Sequence, residues 1–195
     1  KSRLVKEWFE LHINLFIKYG IKEELFEKAA MDLRIMEFRN GANAFLKSLA
    51  ERGVPLIIIS AGLGNFIECF LRNNGCLYDN IYISSNKITF TDGVATGVEG
   101  NIIHSLNKNE VSLPEDIKAR VANRSRVLLL GDQESDLKMV DESSHDQVLK
   151  VAFVAQDTVD QDHLKSLEGF DLVMEPGEDY FTMMNEIDKE KEITI

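Results

Sequence analysis

Apolar residues recur at helical spacing through the first third of the chain and again between later apolar runs. The clearest stripe occupies residues 4–19, where leucine, valine and aromatic side chains repeat every three or four positions before Gly20. This spacing puts the apolar groups on one face of a helix, and glycine is a common helix terminator. Similar patterns predict further helices over residues 22–34, 43–52, 65–73, 112–123, 136–141, 157–168 and 179–187.

Short, continuous apolar runs alternate with these helices from residue 54 onwards. They predict strands over residues 54–59, 80–86, 126–132, 148–155 and 171–175, and the threonine- and glycine-rich residues 91–100 predict a hairpin-like segment. Because a fully apolar run has no polar face, it is typical of a strand buried on both faces of a parallel sheet. The alternation of strands and helices therefore predicts an α/β fold with a doubly wound parallel sheet.

The composition narrows the classes of partner. The chain of 195 residues carries 22 Lys and Arg against 33 Asp and Glu, a net charge of −11, whereas binding to nucleic acid or an anionic membrane requires a basic surface. Cys69 and Cys76 have neither metal-site nor redox-pair spacing, which is typical of a reducing compartment. No apolar run approaches the ~18 residues of a membrane span. We expect a cytoplasmic protein with a small-molecule ligand; the sequence identifies no protein partner.

The residues that follow the first apolar strand are the first candidate site, because ligands of open parallel sheets bind at the carboxyl ends of the strands. Ser60, Ala61 and Gly62 lie between the run at 54–59 and a predicted helix. A hydroxyl group, backbone N–H groups and a helix N-terminus together form an anion site suited to phosphate. An ordinary strand-to-helix turn has the same appearance, so both interpretations stay open at this point.

The strand at 126–132 ends in two carboxylates, Asp132 and Asp136, four residues apart. One could ligate a divalent cation while the other orients ligands or a lysine, and carboxylate oxygens are ligands that magnesium prefers. The alternative is a capping aspartate with a solvated partner. Lys108, after the apolar segment "IIHSLN", could supply the local positive charge that a phosphate requires in an acidic protein.

Three stretches in this order, "IIISAGLGNFIE", "GNIIHSLNK" and "VLLLGDQESDLKMVD", resemble the second, third and fourth motifs of the haloacid dehalogenase (HAD) superfamily of phosphohydrolases. The closer resemblance is to the cytosolic pyrimidine 5′-nucleotidase family, and it covers about residues 7–140. It implies a doubly wound α/β core with a mostly helical cap. Residues 1–40 would then be a partial cap segment, and residues 41–195 the core.

The resemblance also implies roles for the candidate residues. It assigns phosphate binding to four of them: Ser60, Ala61, Gly62 and Lys108. It assigns magnesium binding to Asp132, with Asp136 as the supporting carboxylate. Trp8 and His12 lie where the family's cap lines the nucleoside pocket.

The implied activity is magnesium-dependent hydrolysis of nucleoside, in particular pyrimidine, monophosphates through an aspartyl-phosphate. The family's nucleophile motif, Asp-x-Asp-x-Thr after a first strand, should precede all three stretches, and these 195 residues do not contain it. We therefore expect the first strand and the nucleophile to lie upstream of Lys1. The alternatives are a phosphatase for another small phosphomonoester and a non-catalytic nucleotide-binding relative.

One position departs from the family's fourth motif. Ser135 stands where the family usually has glycine. If the backbone there required a positive φ, serine would cost about 1 kcal/mol.

Overall fold

Helices alternate with strands in the computed structural model, which describes residues 2–32, 35–155, 161–175 and 177–184. The helices are α1 (Ser2–Lys18), α2 (Glu24–Ala30), α3 (Ala42–Glu51), α4 (Gly64–Asn73), α5 (Glu115–Val121) and α6 (Gln161–Ser166). The strands are β1 (Leu56–Leu63), β2 (Ile81–Thr91), β3 (Val94–Glu99), β4 (Arg126–Gly131), β5 (Gln147–Phe153) and β6 (Leu172–Met174). Short 3-10 helices lie at Glu110–Ser112, Glu134–Met139 and Glu142–Ser144. The α/β fold predicted from the apolar pattern is confirmed.

Five predicted helices differ in type or extent. The helix expected over residues 22–34 is the shorter α2, and residues 33–34 of this prediction lie outside the described residues. The helix expected over residues 112–123 is α5, which begins at Glu115. The one expected over residues 136–141 is the 3-10 helix Glu134–Met139. Those expected over 157–168 and 179–187 are found as α6 and as a helical stretch over 180–184. Residues 157–160 and 185–187 of these two predictions lie outside the described residues.

The strands form two sheets of three. In the first sheet β1 pairs with β2 in parallel, and β2 pairs with β3 in antiparallel fashion. In the second sheet β4, β5 and β6 are all parallel, with β5 in the centre. Within the described residues β1 and β4 are therefore edge strands, each with a neighbour on one side only.

Strand β1 differs from its prediction in burial and in length. It was expected to be buried on both faces, but the apolar residues 56–59 are all half-buried, because the strand lies at a sheet edge. It also continues through residues 60–62, beyond residue 59 where the predicted strand ends. A register shift between Ser60 and Leu63 lets the extra residues bulge before α4 begins at Gly64.

Strand β5 has the double-sided burial that its sequence predicts. Val151 and Phe153 belong to a core on one face with Met183, while Ala152 belongs to a core on the other face with Leu167. Successive strand residues point to opposite faces, so the consecutive apolar residues 151–153 serve both cores.

The N-terminal helices pack on the first sheet. Ile13 of α1 and Phe26 of α2 share a buried cluster with Ile88 of β2 and Ala95 of β3. The hairpin that supports them turns at Asp92 and Gly93, whose φ angles of 50° and 73° match a two-residue hairpin turn. The division into a cap segment over residues 1–40 and a core over 41–195 stays a prediction.

Candidate active site

Asp136 is the centre of a charged cluster at the end of β4. Its side chain is buried, with 2% of the residue exposed. One carboxylate oxygen, Oδ2, accepts hydrogen bonds from the backbone N–H groups of Asp132 at 2.9 Å and Gln133 at 3.2 Å. The other oxygen, Oδ1, forms an ion pair with the ammonium group of Lys108. Asp136 therefore fixes both the backbone at Asp132 and the position of the lysine.

The environment of Asp136 keeps its carboxylate charged. Burial alone would raise its pKa, but the hydrogen bond from Lys108, the N–H of Asp132 and the lysine charge together lower the pKa below its ordinary value. Lys108 itself is largely enclosed, with 15% of its side chain exposed. The pair is thus a buried, charged contact that links two distant parts of the sequence.

Gly131 allows the chain to close around this carboxylate. A Cβ atom at residue 131 would lie 2.6 Å from Asp136 Cβ and 2.8 Å from Asp136 Oδ2, closer than a side chain permits. Glycine is therefore required here for close approach rather than for an unusual φ. Ser135, in the same turn, is not among the non-glycine residues with positive φ, so the strain considered for serine at this position does not arise.

Lys108 is held by a hydrogen-bonded turn, which we call the lysine segment (residues 101–108). Asn107 Oδ1 accepts the N–H of His104 at 2.6 Å, and the N–H of Lys108 donates to the carbonyl of His104 at 3.2 Å. His104 is 3% exposed, and burial lowers its pKa. Its Nδ1 accepts the N–H of Leu106 at 3.2 Å, which requires the neutral imidazole.

The other candidate phosphate-binding residues lie at the carboxyl end of β1, residues 60–62, which we call the β1 end. Ser60 Oγ accepts the N–H of Gly62 at 3.1 Å. A Cβ atom at residue 62 would lie 3.2 Å from this oxygen, so glycine leaves the hydroxyl uncrowded. Helix α4 begins two residues later at Gly64. The arrangement combines a hydroxyl and backbone N–H groups with a helix N-terminus, as an anion site requires.

Asn86, the middle residue of β2, joins the β1 end to the lysine segment. Its Nδ2 donates to the carbonyls of Ala61 and Ile103, each at 2.8 Å, and its Oδ1 accepts the N–H of Ile103 at 2.8 Å. The sequence reasoning missed this residue. The signal that could have found it was its place as the last residue of the strand predicted over residues 80–86, the same criterion that singled out Ser60 and Asp132.

Trp8 and His12, the candidate nucleoside-pocket residues, lie together on α1. Their ring centroids are 3.9 Å apart, and His12 Nδ1 contacts the carbonyl of Trp8 at 2.7 Å. Trp8 is 55% exposed, which leaves much of its ring open to a ligand. The neighbouring Phe9 ring lies 6.5 Å from the His104 ring, so α1 passes beside the lysine segment.

The predicted residues thus fall into three groups. Lys108, Asp132 and Asp136 form one charged cluster. The β1 end is tied to this cluster through Asn86 and the lysine segment. The Trp8 and His12 pair is separate on α1. A continuous set of contacts therefore connects the two sheets at the carboxyl ends of β1 and β4.

The aspartates offer an incomplete metal site. The described residues contain no group of three or more His, Cys, Asp and Glu side chains arranged to hold a metal ion. Asp132 is exposed at the strand end, and both oxygens of Asp136 contact partners. Magnesium is commonly bound by only one or two carboxylates together with water and substrate phosphate. Asp132 and Asp136 supply carboxylate oxygens of the kind that such an ion binds, and their assignment as metal ligand and support stays a prediction.

Solved structures define the class of fold. The chain is similar to the crystal structure of cytosolic 5′-nucleotidase IIIB bound to cytidine, with a TM-score of 0.79 and 25% identity, covering 99% of this chain and 66% of that chain. It is also similar to a HAD family hydrolase from Salmonella enterica subsp. enterica serovar Typhi, with a TM-score of 0.61 and 18% identity, covering 92% of this chain and 54% of that chain. The fold is HAD-like.

Sequence comparison defines the family within this class. Residues 1–189 match the pyrimidine 5′-nucleotidase (UMPH-1) family, and the chain belongs to it. The 7-methylguanosine phosphate-specific 5′-nucleotidase A of Xenopus laevis is 32% identical over 177 residues, covering 89% of this chain and 60% of the relative. The Drosophila melanogaster 7-methylguanosine phosphate-specific 5′-nucleotidase is 33% identical over 141 residues, covering 70% of this chain and 43% of the relative. The chain therefore spans about 60% or less of these relatives' length, and the resemblance drawn from the three motifs is confirmed.

Among the described residues, no helix combines the length and apolar character needed to cross a membrane.

Proposed function

We propose that the protein to which this chain belongs is a magnesium-dependent 5′-nucleotidase that hydrolyses nucleoside monophosphates, with pyrimidine nucleotides as the first candidates. The observation that carries this proposal is the cluster of Lys108, Asp136 and Asp132, connected through Asn86 to the β1 end. An enclosed cation connected to a candidate anion site at the β1 end suits a phosphate group, even in a chain with a net charge of −11. We expect a cytoplasmic enzyme with a small-molecule substrate, and no protein partner is implied.

The phosphate would be bound from two sides. The hydroxyl of Ser60 and the backbone N–H of Ala61 would donate hydrogen bonds from the first sheet, while the N–H of Gly62 donates to Ser60 Oγ and orients the hydroxyl. On the other side of the phosphate, Lys108 of the lysine segment would supply positive charge. Asp136 keeps the ammonium group of this lysine in place. Donors fixed before the reaction stabilise charge on phosphoryl oxygens without the cost of reorganisation.

Asp132 would hold the magnesium ion, and Asp136 would fix the backbone that presents it. When bound, such an ion neutralises charge on the phosphoryl oxygens. Because Asp136 is occupied by Lys108 and two backbone N–H groups, we assign it to support rather than to direct metal binding.

The attacking carboxylate is proposed to lie outside these 195 residues. The support is the topology: β1 and β4 both end at the site, and each has an unpaired edge within the described residues. Unpaired edges of apolar strands bind a further strand readily. A strand from the rest of the protein, placed between them, would present its carboxyl end to Ser60, Lys108 and Asp132 together.

The base of the nucleotide is proposed to stack on Trp8, a residue that is 55% exposed beside His12. The relatives named as 7-methylguanosine phosphate-specific support a second candidate substrate, 7-methylguanosine monophosphate. Its methylated base carries a positive charge, which is attracted to the face of an indole ring.

The test is phosphate release by the full-length protein from CMP, UMP, 7-methylguanosine monophosphate and phosphoserine. We expect turnover of at least one nucleotide and negligible turnover of phosphoserine. Faster hydrolysis of phosphoserine would instead indicate a phosphatase for another phosphomonoester. Nucleotide binding without any turnover would indicate a non-catalytic relative.

A matched pair of variants on α1 tests the assignment of the base. Trp8→Ala should raise KM for the preferred nucleotide about tenfold, since stacking of a base on an aromatic ring contributes about 1–3 kcal/mol. Leu4→Ala is the control, because Leu4 is 71% exposed one turn away on the same helix. Equal effects of the two substitutions would contradict a role for Trp8 in binding the base.

A further inference from the structure

We propose that Asn86 is a positioning residue that sets the separation between the β1 end and the lysine segment, so that both can bind one phosphate. The inference rests on the proposed function, since it concerns the same site. Asn86 is 1% exposed and is among the most completely buried polar side chains of the described residues. Its hydrogen bonds go to backbone atoms of Ala61 and Ile103 rather than to Lys108 or Asp136, so it acts on the site through the backbone.

The hydrogen bonds of Asn86 define its orientation without ambiguity. Both N–H groups of the amide point to carbonyl oxygens, those of Ala61 and Ile103, and the amide oxygen faces the N–H of Ile103. A flipped amide would place its oxygen against carbonyls, so only one orientation is favourable. A buried amide with all these contacts satisfied fixes the relative position of the two backbones it joins.

The two segments joined by Asn86 have little regular structure to hold them together. Ala61 lies inside the register shift between Ser60 and Leu63, where the β1–β2 ladder has no paired residues. Residues 101–104 lie outside any strand. The side chain of Asn86 therefore replaces the backbone pairing that is absent at the end of the strand.

A displacement at Ile103 would reach Lys108 through the lysine segment. The N–H of His104 is held by Asn107, and the N–H of Lys108 is held by the carbonyl of His104. The segment is thus a single hydrogen-bonded turn from its anchor at Asn86 to its cation. Loss of the anchor should change where the ammonium group lies relative to Ser60.

The test uses Asn86→Asp and a matched control, Asn80→Asp, in the full-length protein. The Asn86→Asp change keeps the shape of the side chain but places a carboxylate oxygen against the carbonyls of Ala61 and Ile103. Asn80 lies at the opposite end of the same strand pair, where its Nδ2 donates to the carbonyl of Val54 at 2.7 Å, far along β1 from the β1 end. Both substitutions therefore remove a donor to a backbone carbonyl beside β1.

The readouts are kcat and KM for the preferred nucleotide, the inhibition constant of inorganic phosphate, and the melting temperature. We expect Asn86→Asp to raise the phosphate inhibition constant at least tenfold, and Asn80→Asp to change it less than twofold. A merely structural role would lower the melting temperature in both variants and leave the phosphate inhibition constant of the folded enzyme unchanged. That result would overturn the proposal.

A double-mutant cycle tests whether Asn86 acts through the lysine. In a Lys108→Ala background, Asn86→Asp should have less than a threefold further effect on phosphate inhibition, because the group it positions is absent. Full additivity of the two effects would overturn the proposal. If Asn86→Asp does not fold, Asn86→Ser, which keeps one donor and adds no charge, takes its place under the same criteria.

Failure of this inference is distinguishable from failure of the proposed function. A wild-type enzyme that releases phosphate, together with an Asn86→Asp variant of unchanged phosphate inhibition, overturns only the role of Asn86. A wild-type protein that neither turns over nucleotides nor binds inorganic phosphate overturns both.

Discussion

Strands β1 and β5 have the same kind of sequence but different surroundings. β5 has β4 on one side and β6 on the other, and its residues Val151 and Ala152 are 0% exposed. β1 has only β2 beside it in the described residues, and its apolar residues 56–59 are all half-buried. An apolar run therefore indicates that a strand can be buried on both faces. How far the strand is actually buried depends on which strands lie beside it.

The two sheets also contribute different chemistry to the site. The first sheet offers neutral groups, the Ser60 hydroxyl and backbone N–H groups, and neutral Asn86 holds them in place. The second sheet offers the charged cluster around Asp136. Removing one member of a buried ion pair leaves the other charge without a partner and is strongly destabilising. Removing one neutral hydrogen bond near solvent costs less, because water can take the place of the lost partner. The following changes test this difference.

The largest effect is expected for Asp136→Asn at the charged end of β4. This change leaves the enclosed ammonium group of Lys108 without its counter-charge, so it should lower the free energy of unfolding by about 3 kcal/mol. Ser60→Ala at the β1 end removes one hydrogen bond to Gly62 and should cost about 1 kcal/mol or less. Urea unfolding of both variants at pH 7 measures the difference, and equal losses would contradict it.

The cost of Asp136→Asn should also depend on pH. Because the folded-state pKa of Asp136 is lowered, its contribution is complete above the ordinary value of about 3.9 and is lost as the pH falls through the lowered pKa. The double variant Asp136→Asn, Lys108→Met should recover much of the loss, since an apolar side chain needs no counter-charge. A loss that persists in the double variant would show that packing, rather than charge, is responsible.

The next effect separates the central strand from the edge strand. In the 195-residue chain, Leu149→Ala in β5, where Leu149 is 4% exposed, should cost about 2–5 kcal/mol. Leu56→Ala in half-buried β1 should cost less than half as much. In the full-length protein the two losses should become similar, because the proposed additional strand would cover β1. A Leu56 loss that is unchanged in the full-length protein would contradict the position of that strand.

The smallest effect concerns the buried imidazole of the lysine segment. Burial lowers the pKa of His104 below its ordinary value of 6.5, so the unfolded chain binds a proton at a higher pH than the folded chain. Stability should therefore be complete above pH 6.5 and fall as the pH decreases from there through the lowered pKa. His104→Asn, whose side-chain oxygen can still accept the N–H of Leu106, should make the melting temperature less dependent on pH between about 7 and 5. An unchanged pH profile would rule out His104 as the cause.

The helices and most strands could be predicted from the sequence because periodicity and apolar runs are local signals. The same local reading placed Ser60, Asp132 and Lys108 at strand ends or in the loops after them. It also suggested that one of the two aspartates orients a lysine, and the structure pairs Asp136 with Lys108 from a distant part of the chain. Position at a strand end is a local property that sequence can reveal.

Contacts between distant segments could not be predicted in the same way. The extension of β1 through residues 60–62 depends on a register shift against β2, which no pattern within β1 records. The role of Asn86 depends on the carbonyls of Ala61 and Ile103, which lie 25 and 17 residues away in sequence. The half-burial of β1 depends on which strands are present beside it. Each of these features is set by tertiary pairing rather than by local pattern.

The most direct test of the central claim is the magnesium dependence of phosphate release from CMP and 7-methylguanosine monophosphate by the full-length protein. We expect turnover that requires magnesium, is abolished by a chelator and restored by added magnesium, and is reduced at least a hundredfold by Asp132→Asn. Equal rates of phosphate release with chelator and with magnesium, or an Asp132→Asn variant of wild-type activity, would contradict it.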